Sequence, residues 1–235
     1  MTISTDVRTR IRKVFEPVAL GMGRLGLTPD ALTIMGFAIT VVGAVLISQQ
    51  AWLAGGVVIL VGGIFDMFDG TLARATGRVS DLGAFMDSVF DRAGEVVVYL
   101  GIVAGLQAVG IADGTLLAAA ALGSATMVSY TRAKSEGLGF TQGTGMASIG
   151  IMPREVRLVV LSLGLVLAGL FGASPYLVEG GAGGGAFPAG VFLLFVALGI
   201  ITVGSVLTVI QRIVHVRNQA DRPSTRTTKE HGERS

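Results

Sequence analysis

Four aspartates interrupt apolar stretches of the sequence: Asp66, Asp69, Asp87 and Asp91. A carboxylate in the hydrocarbon of a bilayer costs about 2.5–3.5 kcal/mol on insertion scales, and four neighbouring carboxylates would also repel one another. The first two are three residues apart and the last two are four apart, so each pair shares one helix face. Bound divalent cations would offset this cost, so the four aspartates are where the chemistry is expected.

The spacing lets two neighbouring helices present all four carboxylates to one point. Gly70 and Gly83 leave room where a ligand or a partner backbone must approach closely. Four aspartates suffice for two Mg²⁺ ions around a pyrophosphate, the two-metal arrangement for in-line phosphoryl transfer, and Mn²⁺ could replace Mg²⁺. Arg74, two turns after Asp66, could bind phosphate oxygens in a bidentate manner or only neutralise an aspartate, and the sequence leaves both open.

The composition is that of a membrane protein. The 235-residue chain is 51% hydrophobic and 14% charged, whereas soluble domains carry about 25% charged residues. It contains no cysteine, and its two histidines lie near the C-terminus. These counts exclude disulfides and thiolate nucleophiles and nearly exclude a zinc site. The metal is therefore expected to be a hard, oxygen-binding ion. A nucleic-acid partner is not expected.

The hydropathy pattern predicts an all-α integral membrane protein with six transmembrane helices in one domain over residues 29–213. The spans are expected at about 29–48, 51–77, 80–106, 111–130, from Pro153 onward, and 186–210. Residues 1–28 are predicted to form a cytoplasmic amphipathic juxtamembrane helix. The polar residues 214–235 are predicted to be a disordered cytoplasmic tail.

Basic residues concentrate at both ends of the chain, and none occurs between Arg157 and Arg212. By the positive-inside rule, both termini and the active site then face the cytoplasm, which an even number of spans satisfies. We expect a multi-pass protein of the cell membrane. The alternative of another class is a divalent cation transporter or channel, in which carboxylates line an ion path. The confinement of the acids to two predicted spans disfavours it.

The segment from Asp66 to Asp91 reads D-x-x-D-G-x-x-A-R, then eight residues, then G-x-x-x-D-x-x-x-D. It resembles the signature of the CDP-alcohol phosphatidyltransferases at every fixed position. The resemblance implies a homodimer of six-helix subunits that transfers a phosphatidyl group from a CDP-linked lipid to an alcohol and releases CMP. It also implies that Asp66, Asp69 and Asp87 hold two metals, and that Asp91 is the general base and touches one of them.

The same resemblance implies the binding residues, and it is greatest to the phosphatidylinositol phosphate synthase branch. The CDP-lipid is expected to contact Asp30, Ala31, Leu32, Thr33, Asp66, Asp69, Gly70, Ala73, Arg74, Ser80 and Gly83. The acceptor phosphate is expected to contact Arg132, Lys134, Arg154, Arg157 and Arg212, because guanidinium groups suit phosphate. For Arg132 and Lys134, positive-inside anchoring explains the charge equally well.

The acceptor is the more open part of the assignment. A basic pocket suits a phosphorylated alcohol, whereas free inositol would not require one. The resemblance implies transfer to inositol 1-phosphate. Glycerol 3-phosphate, which would make the chain a phosphatidylglycerophosphate synthase, also suits a basic pocket and is the alternative. The Ile-Met-Pro at 151–153 departs from the inositol phosphate branch. An ether-lipid donor or another phosphorylated polyol thus stays open.

Overall fold

The computed structural model describes residues 5–140, 149–172 and 189–221, with side chains from Phe15 onward. These residues form seven helices and no strand, which confirms the predicted all-α class. The helices are α1 (Thr5–Arg24), α2 (Pro29–Ser48), α3 (Trp52–Thr76), α4 (Asp81–Ala108), α5 (Ala112–Gly137), α6 (Arg154–Leu170) and α7 (Ala189–Ala220). One helix from α2 to α7 falls on each of the predicted spans.

Three of these helices, α2, α3 and α7, are by length and composition able to cross a membrane, with mean hydropathies of 2.3, 1.6 and 2.6. Helix α4 is less apolar because Asp91, Arg92 and Glu95 occur within it, and α5 is rich in Ala, Gly, Ser and Thr. Helix α6 is 17 residues long. The chain is thus a multi-pass membrane protein with three candidate spans in the part that the structure describes.

Local sequence sets the helix ends that surround the carboxylates. Thr28 caps α2 through a 3.2 Å hydrogen bond from the Ala31 N–H, and Ser80 caps α4 through a 3.0 Å bond from the Gly83 N–H. Helix α3 ends at Gly77, whose φ of +68° is a left-handed conformation that glycine adopts without steric cost. The short connection that follows brings the end of α3 beside the start of α4.

The helices pack in a way that leaves the carboxylates at one end. Helix α2 lies against α3 and α4. Helix α6 lies against α3 and α7, and helix α5 lies against α4 and α7. A Cβ atom on Gly101 would lie 2.5 Å from the Ala44 carbonyl oxygen, so α4 and α2 meet backbone to backbone. The main apolar core contains the fully buried Ile47, Ile102 and Leu165. This core fixes the helices that carry the acidic residues.

The N-terminal helix α1 is present as predicted, and its apolar face packs on α3. The rings of Phe15 and Phe68 have centroids 5.2 Å apart. Ala19, Leu32 and Leu72 complete this second apolar cluster, and each is at most 1% exposed. Helix α1 is therefore attached to the same helix that carries Asp66 and Asp69.

Two helices extend beyond their predicted ends. Helix α5 continues to Gly137, through the polar stretch 131–136, and α7 continues to Ala220, although the sequence predicts disorder from residue 214. A helix that leaves the apolar layer keeps its internal hydrogen bonds in water, so polar sequence alone does not end it. Of the predicted tail, residues 222–235 lie outside the described residues, as do residues 141–148 and 173–188.

Candidate active site

Three carboxylates lie together where α3 and α4 meet. Asp66 and Asp69 on α3 and Asp87 on α4 can each offer one oxygen, and these oxygens all lie within 4.8 Å of one another. Asp69 is 5% exposed and the other two are partly buried. Carboxylate oxygens are the ligands that Mg²⁺ and Mn²⁺ prefer, and a cation would relieve the repulsion among three like charges. The donor set therefore fits a divalent metal.

Asp69 is held in one orientation by two donors. The hydroxyl of Thr33, on α2, donates to Asp69 Oδ2 at 2.5 Å, and the backbone N–H of Gly70 donates to Oδ1. Hydrogen bonds to a charged acceptor are short and strong, and they fix a metal ligand before the metal arrives. Thr33 is itself 6% exposed, so this contact couples α2 to the carboxylate cluster.

Asp91 lies one turn after Asp87 and beside this cluster, facing arginines. Arg154 Nη2 lies 2.7 Å from Asp91 Oδ1 and forms an ion pair with it. The angles of this contact are not those of a hydrogen bond. The same guanidinium donates from Nη1 to Asp66 Oδ2 at 2.8 Å. Arg92 Nη1 lies 3.4 Å from Asp91 Oδ2. Arg154 therefore links an acid of α3 to an acid of α4, and the predicted metal contact of Asp91 stays a prediction.

One pocket, called here the α3–α4 pocket, contains most of the residues predicted to bind the CDP-lipid. Those residues are Asp30, Thr33, Asp69, Gly70, Ala73, Arg74, Ser80 and Gly83, and Asp87 joins them. A Cβ atom on Gly83 would lie 3.1 Å from Ser80 Oγ and 3.5 Å from Asp30 Oδ1. The absence of a side chain at Gly83 thus keeps this pocket open, as the sequence predicts.

Three residues predicted to contact the CDP-lipid do not line this pocket: Ala31, Leu32 and Asp66, the last of which lines the second pocket described below. The Leu32 side chain is fully buried between α1 and α3, in the cluster with Phe68 and Leu72. Ala31 serves the cap of α2, where its N–H donates to Thr28. Neither lines the α3–α4 pocket. Their predicted contacts with the CDP-lipid stay predictions.

A second pocket, called here the basic pocket, opens next to the same carboxylates. Arg74, Arg132 and Arg154 contribute its positive charge. Its acidic residues are Asp66, Asp69, Asp87, Asp91 and Glu155. Phe15 of α1 also lines it. Arg132 forms an exposed ion pair of 2.9 Å with Glu136 one turn later. The predicted acceptor residues Arg132 and Arg154 thus share a pocket with the predicted base.

The other predicted acceptor residues lie outside this pocket. Arg157 is 1% exposed and binds Glu95. Arg212 is 3% exposed and donates to the carbonyl oxygen of Ile149 at 3.0 Å and to that of Val128. Arg132 and Arg157 lie close enough to Arg212 for their charges to repel it. Lys134 is exposed at the end of α5. Their predicted contacts with an acceptor phosphate stay predictions.

Three residues at the site were not singled out by the sequence. Arg78 lines the α3–α4 pocket, Phe15 lines the basic pocket, and Glu95 binds Arg157. Glu95 follows Asp91 by one helical turn, so it continues the acidic face that begins at Asp87. That periodicity is a signal that could have identified it. The position of Phe15 depends on how α1 docks, which local sequence does not indicate.

Comparison with known proteins identifies the family. The sequence pattern of the CDP-alcohol phosphatidyltransferases matches residues 26–220. The archaetidylinositol phosphate synthase of Pyrococcus horikoshii is 34% identical over 169 residues, which cover 72% of this chain and 83% of that protein. The phosphatidylinositol phosphate synthase of Streptomyces avermitilis is 33% identical over 227 residues, covering 95% of this chain and 86% of that protein.

Solved structures give the same result. A structure of the phosphatidylinositol phosphate synthase of Mycobacterium tuberculosis with CDP-DAG bound matches with a TM-score of 0.69 and 29% identity, covering 87% of this chain and 94% of that chain. A structure of the same protein in complex with manganese and citrate matches with a TM-score of 0.68 and 28% identity, covering 86% and 88% of the two chains. The chain therefore belongs to the CDP-alcohol phosphatidyltransferase family.

Proposed function

We propose that this enzyme transfers the phosphatidyl group of a CDP-linked lipid to inositol 1-phosphate, giving phosphatidylinositol phosphate and CMP. One observation carries the proposal: the α3–α4 pocket and the basic pocket share Asp69, Gly70, Arg74 and Asp87. A nucleotide-linked lipid in the first pocket and a phosphorylated alcohol in the second would meet at the carboxylates. This arrangement favours a group transfer between two ligands over the passage of an ion.

The metal would be held by Asp66, Asp69 and Asp87. We expect two Mg²⁺ ions, with Mn²⁺ able to replace them, and the relative from M. tuberculosis has been crystallised with manganese. When bound, such ions neutralise the pyrophosphate and stabilise the charge that develops on the departing CMP. Thr33 and Gly70 would keep Asp69 in place for this task.

The protein residues would act as follows. Asp91 accepts the proton of the attacking hydroxyl, since it lies beside the three carboxylates in the basic pocket. The hydroxyl oxygen forms a bond to the phosphorus that carries the lipid, while the bond from that phosphorus to the oxygen of CMP breaks. Arg74 lines both pockets and would bind phosphate oxygens of the donor. Positioning of the two reactants supplies much of the acceleration in such a transfer.

The acceptor assignment rests on the arginines and on the names of relatives. Arg132 and Arg154 line the basic pocket, and Arg157 and Arg212 are buried nearby on α6 and α7. Lys134 lies two residues after Arg132, in the last turn of α5. Planar guanidinium groups suit the bidentate binding of phosphate. Because the relatives include an archaetidylinositol phosphate synthase, the donor could carry ether-linked or acyl chains.

The membrane arrangement is part of the proposal. Helices α2 to α7 would all cross the bilayer, with both termini and the two pockets on the cytoplasmic side of the cell membrane. The charged residues of the site lie at one set of helix ends: the C-terminal ends of α3, α5 and α7 and the N-terminal ends of α4 and α6. The opposite helix ends, among the residues described, carry Asp113 and no Lys or Arg. A homodimer is expected, as the family resemblance implies.

The test is CMP release by the purified enzyme in detergent or nanodiscs. CDP-diacylglycerol and its ether analogue are each supplied with inositol 1-phosphate, glycerol 3-phosphate, serine or free inositol. The proposal expects release that requires Mg²⁺ and is fastest with inositol 1-phosphate. Faster release with glycerol 3-phosphate would show that glycerol 3-phosphate, and not inositol 1-phosphate, is the acceptor. Release with free inositol alone would contradict a phosphate-binding pocket. Absence of release with all four acceptors would overturn the transfer itself.

A further inference from the structure

Glu95 and Arg157 form a buried ion pair between α4 and α6. Arg157 Nε lies 2.7 Å from Glu95 Oε1, and Arg157 Nη2 lies 3.0 Å from Oε2, so the pair is bidentate. The arginine is 1% exposed and the carboxylate side chain is 14% exposed. Glu95 lies outside the family motif, which ends at Asp91. Removal of one partner of a buried ion pair leaves an uncompensated charge, so this pair constrains how α4 and α6 can lie against each other.

This pair repeats, one turn further along both helices, the contact between Asp91 and Arg154. Glu95 is four residues after Asp91, and Arg157 is three residues after Arg154. The same two helices are therefore joined by two ion pairs in register. A shift of α6 that loosened the Glu95 pair would also move Arg154 away from Asp91.

Arg157 also forms a hydrogen bond with the segment that precedes α6. Its Nη1 donates to the Met152 carbonyl at 3.1 Å, and the Met152 N–H donates to Thr208 Oγ1 on α7 at 3.0 Å. Three of the five N–H donors of the guanidinium are thus engaged, two by Glu95 and one by Met152. Glu95 and Met152 together set the orientation of the group.

A small cavity lies between the two ion pairs. It is lined by Asp66, Asp91, Glu95, Tyr99, Arg154 and Arg157, among others. The Tyr99 hydroxyl is buried without a hydrogen-bond partner among the described residues. A cavity with several polar walls is suited to ordered water, which would link Tyr99 to the charged groups. The polar surface of the site therefore continues past Asp91 to Glu95 and Tyr99.

We propose that Glu95 is a positioning residue for the acceptor: its bidentate pair with Arg157 fixes α6, and thereby Arg154, against the carboxylates where the acceptor phosphate binds. This inference rests on the proposed function, because it assumes a phosphorylated acceptor in the basic pocket. The donor pocket is lined by α2, α3, the turn before α4 and the start of α4, and neither Glu95 nor Arg157 is among its lining residues. Loss of the Glu95 charge should therefore affect the acceptor selectively.

The test compares Glu95→Gln and Glu95→Asp with the wild type in the CMP-release assay. The concentration of the CDP-lipid and that of the acceptor are varied in turn, and the acceptor is the phosphorylated alcohol that the wild type uses. We expect Glu95→Gln to raise the acceptor KM about tenfold or more, and to change the donor KM less than about threefold. Glu95→Asp, which keeps the charge on a shorter side chain, should restore part of the acceptor affinity. Asp221→Asn, which removes an acid from an exposed ion pair with Arg217 on α7, is the matched control and should change neither KM.

The outcomes separate this inference from the proposed function. A wild type that releases no CMP with any phosphorylated alcohol contradicts the proposed function, and with it the premise of this inference. An active wild type with an unchanged acceptor KM in Glu95→Gln overturns the role of Glu95 alone. A parallel rise in both KM values, with a lower melting temperature, would show that the pair only stabilises the fold and would also overturn the positioning role. Should Glu95→Gln fail to fold, the same comparison is made with Glu95→Asp, for which an unchanged acceptor KM is the contradicting result.

Discussion

Arg154 donates a 2.8 Å hydrogen bond from Nη1 to Asp66 Oδ2, and this contact joins the start of α6 to a carboxylate of the predicted metal site. The same guanidinium lies 2.7 Å from Asp91. A cation fixed beside these acids lowers the repulsion among them. It would also compete with a metal for Asp66, so the proposed function gives Arg154 one role toward the metal and another toward the acceptor phosphate.

Replacing Arg154 by Gln should therefore have opposite effects on two ligands. We expect Mn²⁺ to bind roughly fivefold more tightly, because a competing positive charge is lost from a partly exposed site. The acceptor KM should rise about tenfold or more, because a phosphate ligand is lost. Titration with Mn²⁺, followed by electron paramagnetic resonance, measures the first effect.

The control for this variant is Arg217→Gln, which removes an exposed arginine that pairs with Asp221 at the end of α7. It should leave Mn²⁺ affinity unchanged. Weaker Mn²⁺ binding in Arg154→Gln would show that the arginine supports the metal site and does not compete with it.

Thr33→Val should weaken metal binding without a change in shape. Valine matches threonine in size but cannot donate to Asp69 Oδ2, a bond of 2.5 Å in the structure. Loss of such an orienting partner lowers metal affinity by about 10-fold to 100-fold in metal sites generally. Thr33→Ser keeps a hydroxyl and should retain most of the affinity.

The matched control is Thr202→Val on α7. Thr202 donates only to the carbonyl of Leu198 in its own helix, at 2.8 Å. Its replacement should leave Mn²⁺ affinity within about twofold. Equal affinities for Thr33→Val and wild type would contradict a role for α2 in holding the carboxylate.

Gly83→Ala should weaken donor binding selectively. The new methyl group would lie 3.1 Å from Ser80 Oγ and 3.5 Å from Asp30 Oδ1, inside the α3–α4 pocket. We expect the KM for the CDP-lipid to rise about tenfold while the acceptor KM stays within about twofold. The two KM values are obtained from CMP release.

Gly199→Ala provides the control, because a Cβ atom on this α7 glycine would have no neighbour within 4 Å. Alanine in a helix is more favourable than glycine by about 1 kcal/mol, so this variant should be as stable as the wild type or more stable. An unchanged donor KM in Gly83→Ala would exclude the α3–α4 pocket as the donor site.

Asp91→Asn should separate binding from turnover. Asparagine keeps the size of the side chain but cannot accept the proton of the attacking hydroxyl. We expect CMP release to fall by about 1000-fold or more, with donor affinity and Mn²⁺ affinity both within about threefold of the wild type. Substrate binding is measured with the labelled CDP-lipid, and Asp113→Asn, at the opposite helix ends, is the control. A large loss of Mn²⁺ affinity would make Asp91 chiefly a metal ligand.

The helices and the acidic cluster could be predicted because the signals are local. Thr28 and Ser80 cap their helices as their types and positions indicate, and the three- and four-residue spacing of the aspartates places each pair on one helix face. The glycine at position 83 also has the predicted effect on the pocket. The residues that set the caps and the spacing within each pair lie within about one turn of one another, whereas the meeting of the two pairs depends on how α3 and α4 pack.

The partners of the arginines could not be predicted in this way. Arg154 meets Asp66 across 88 positions of sequence, and Arg157 meets Glu95 across 62. Sequence shows that guanidinium groups stand at the start of α6, but helix packing decides which acid each one reaches. The burial of Leu32 is a related case, because it depends on the docking of α1 on α3, which local sequence does not indicate.

The most direct test of the account is the identity and amount of both products from one reaction. Purified enzyme is incubated with CDP-diacylglycerol, inositol 1-phosphate and Mg²⁺, and the lipid product is analysed by mass spectrometry while CMP is quantified. The account predicts phosphatidylinositol phosphate and CMP in equal amounts, and neither product when Mg²⁺ is removed by chelation or when Asp91 is replaced by Asn. CMP formed without a new lipid, or a lipid product that lacks the acceptor's phosphate, would contradict the account.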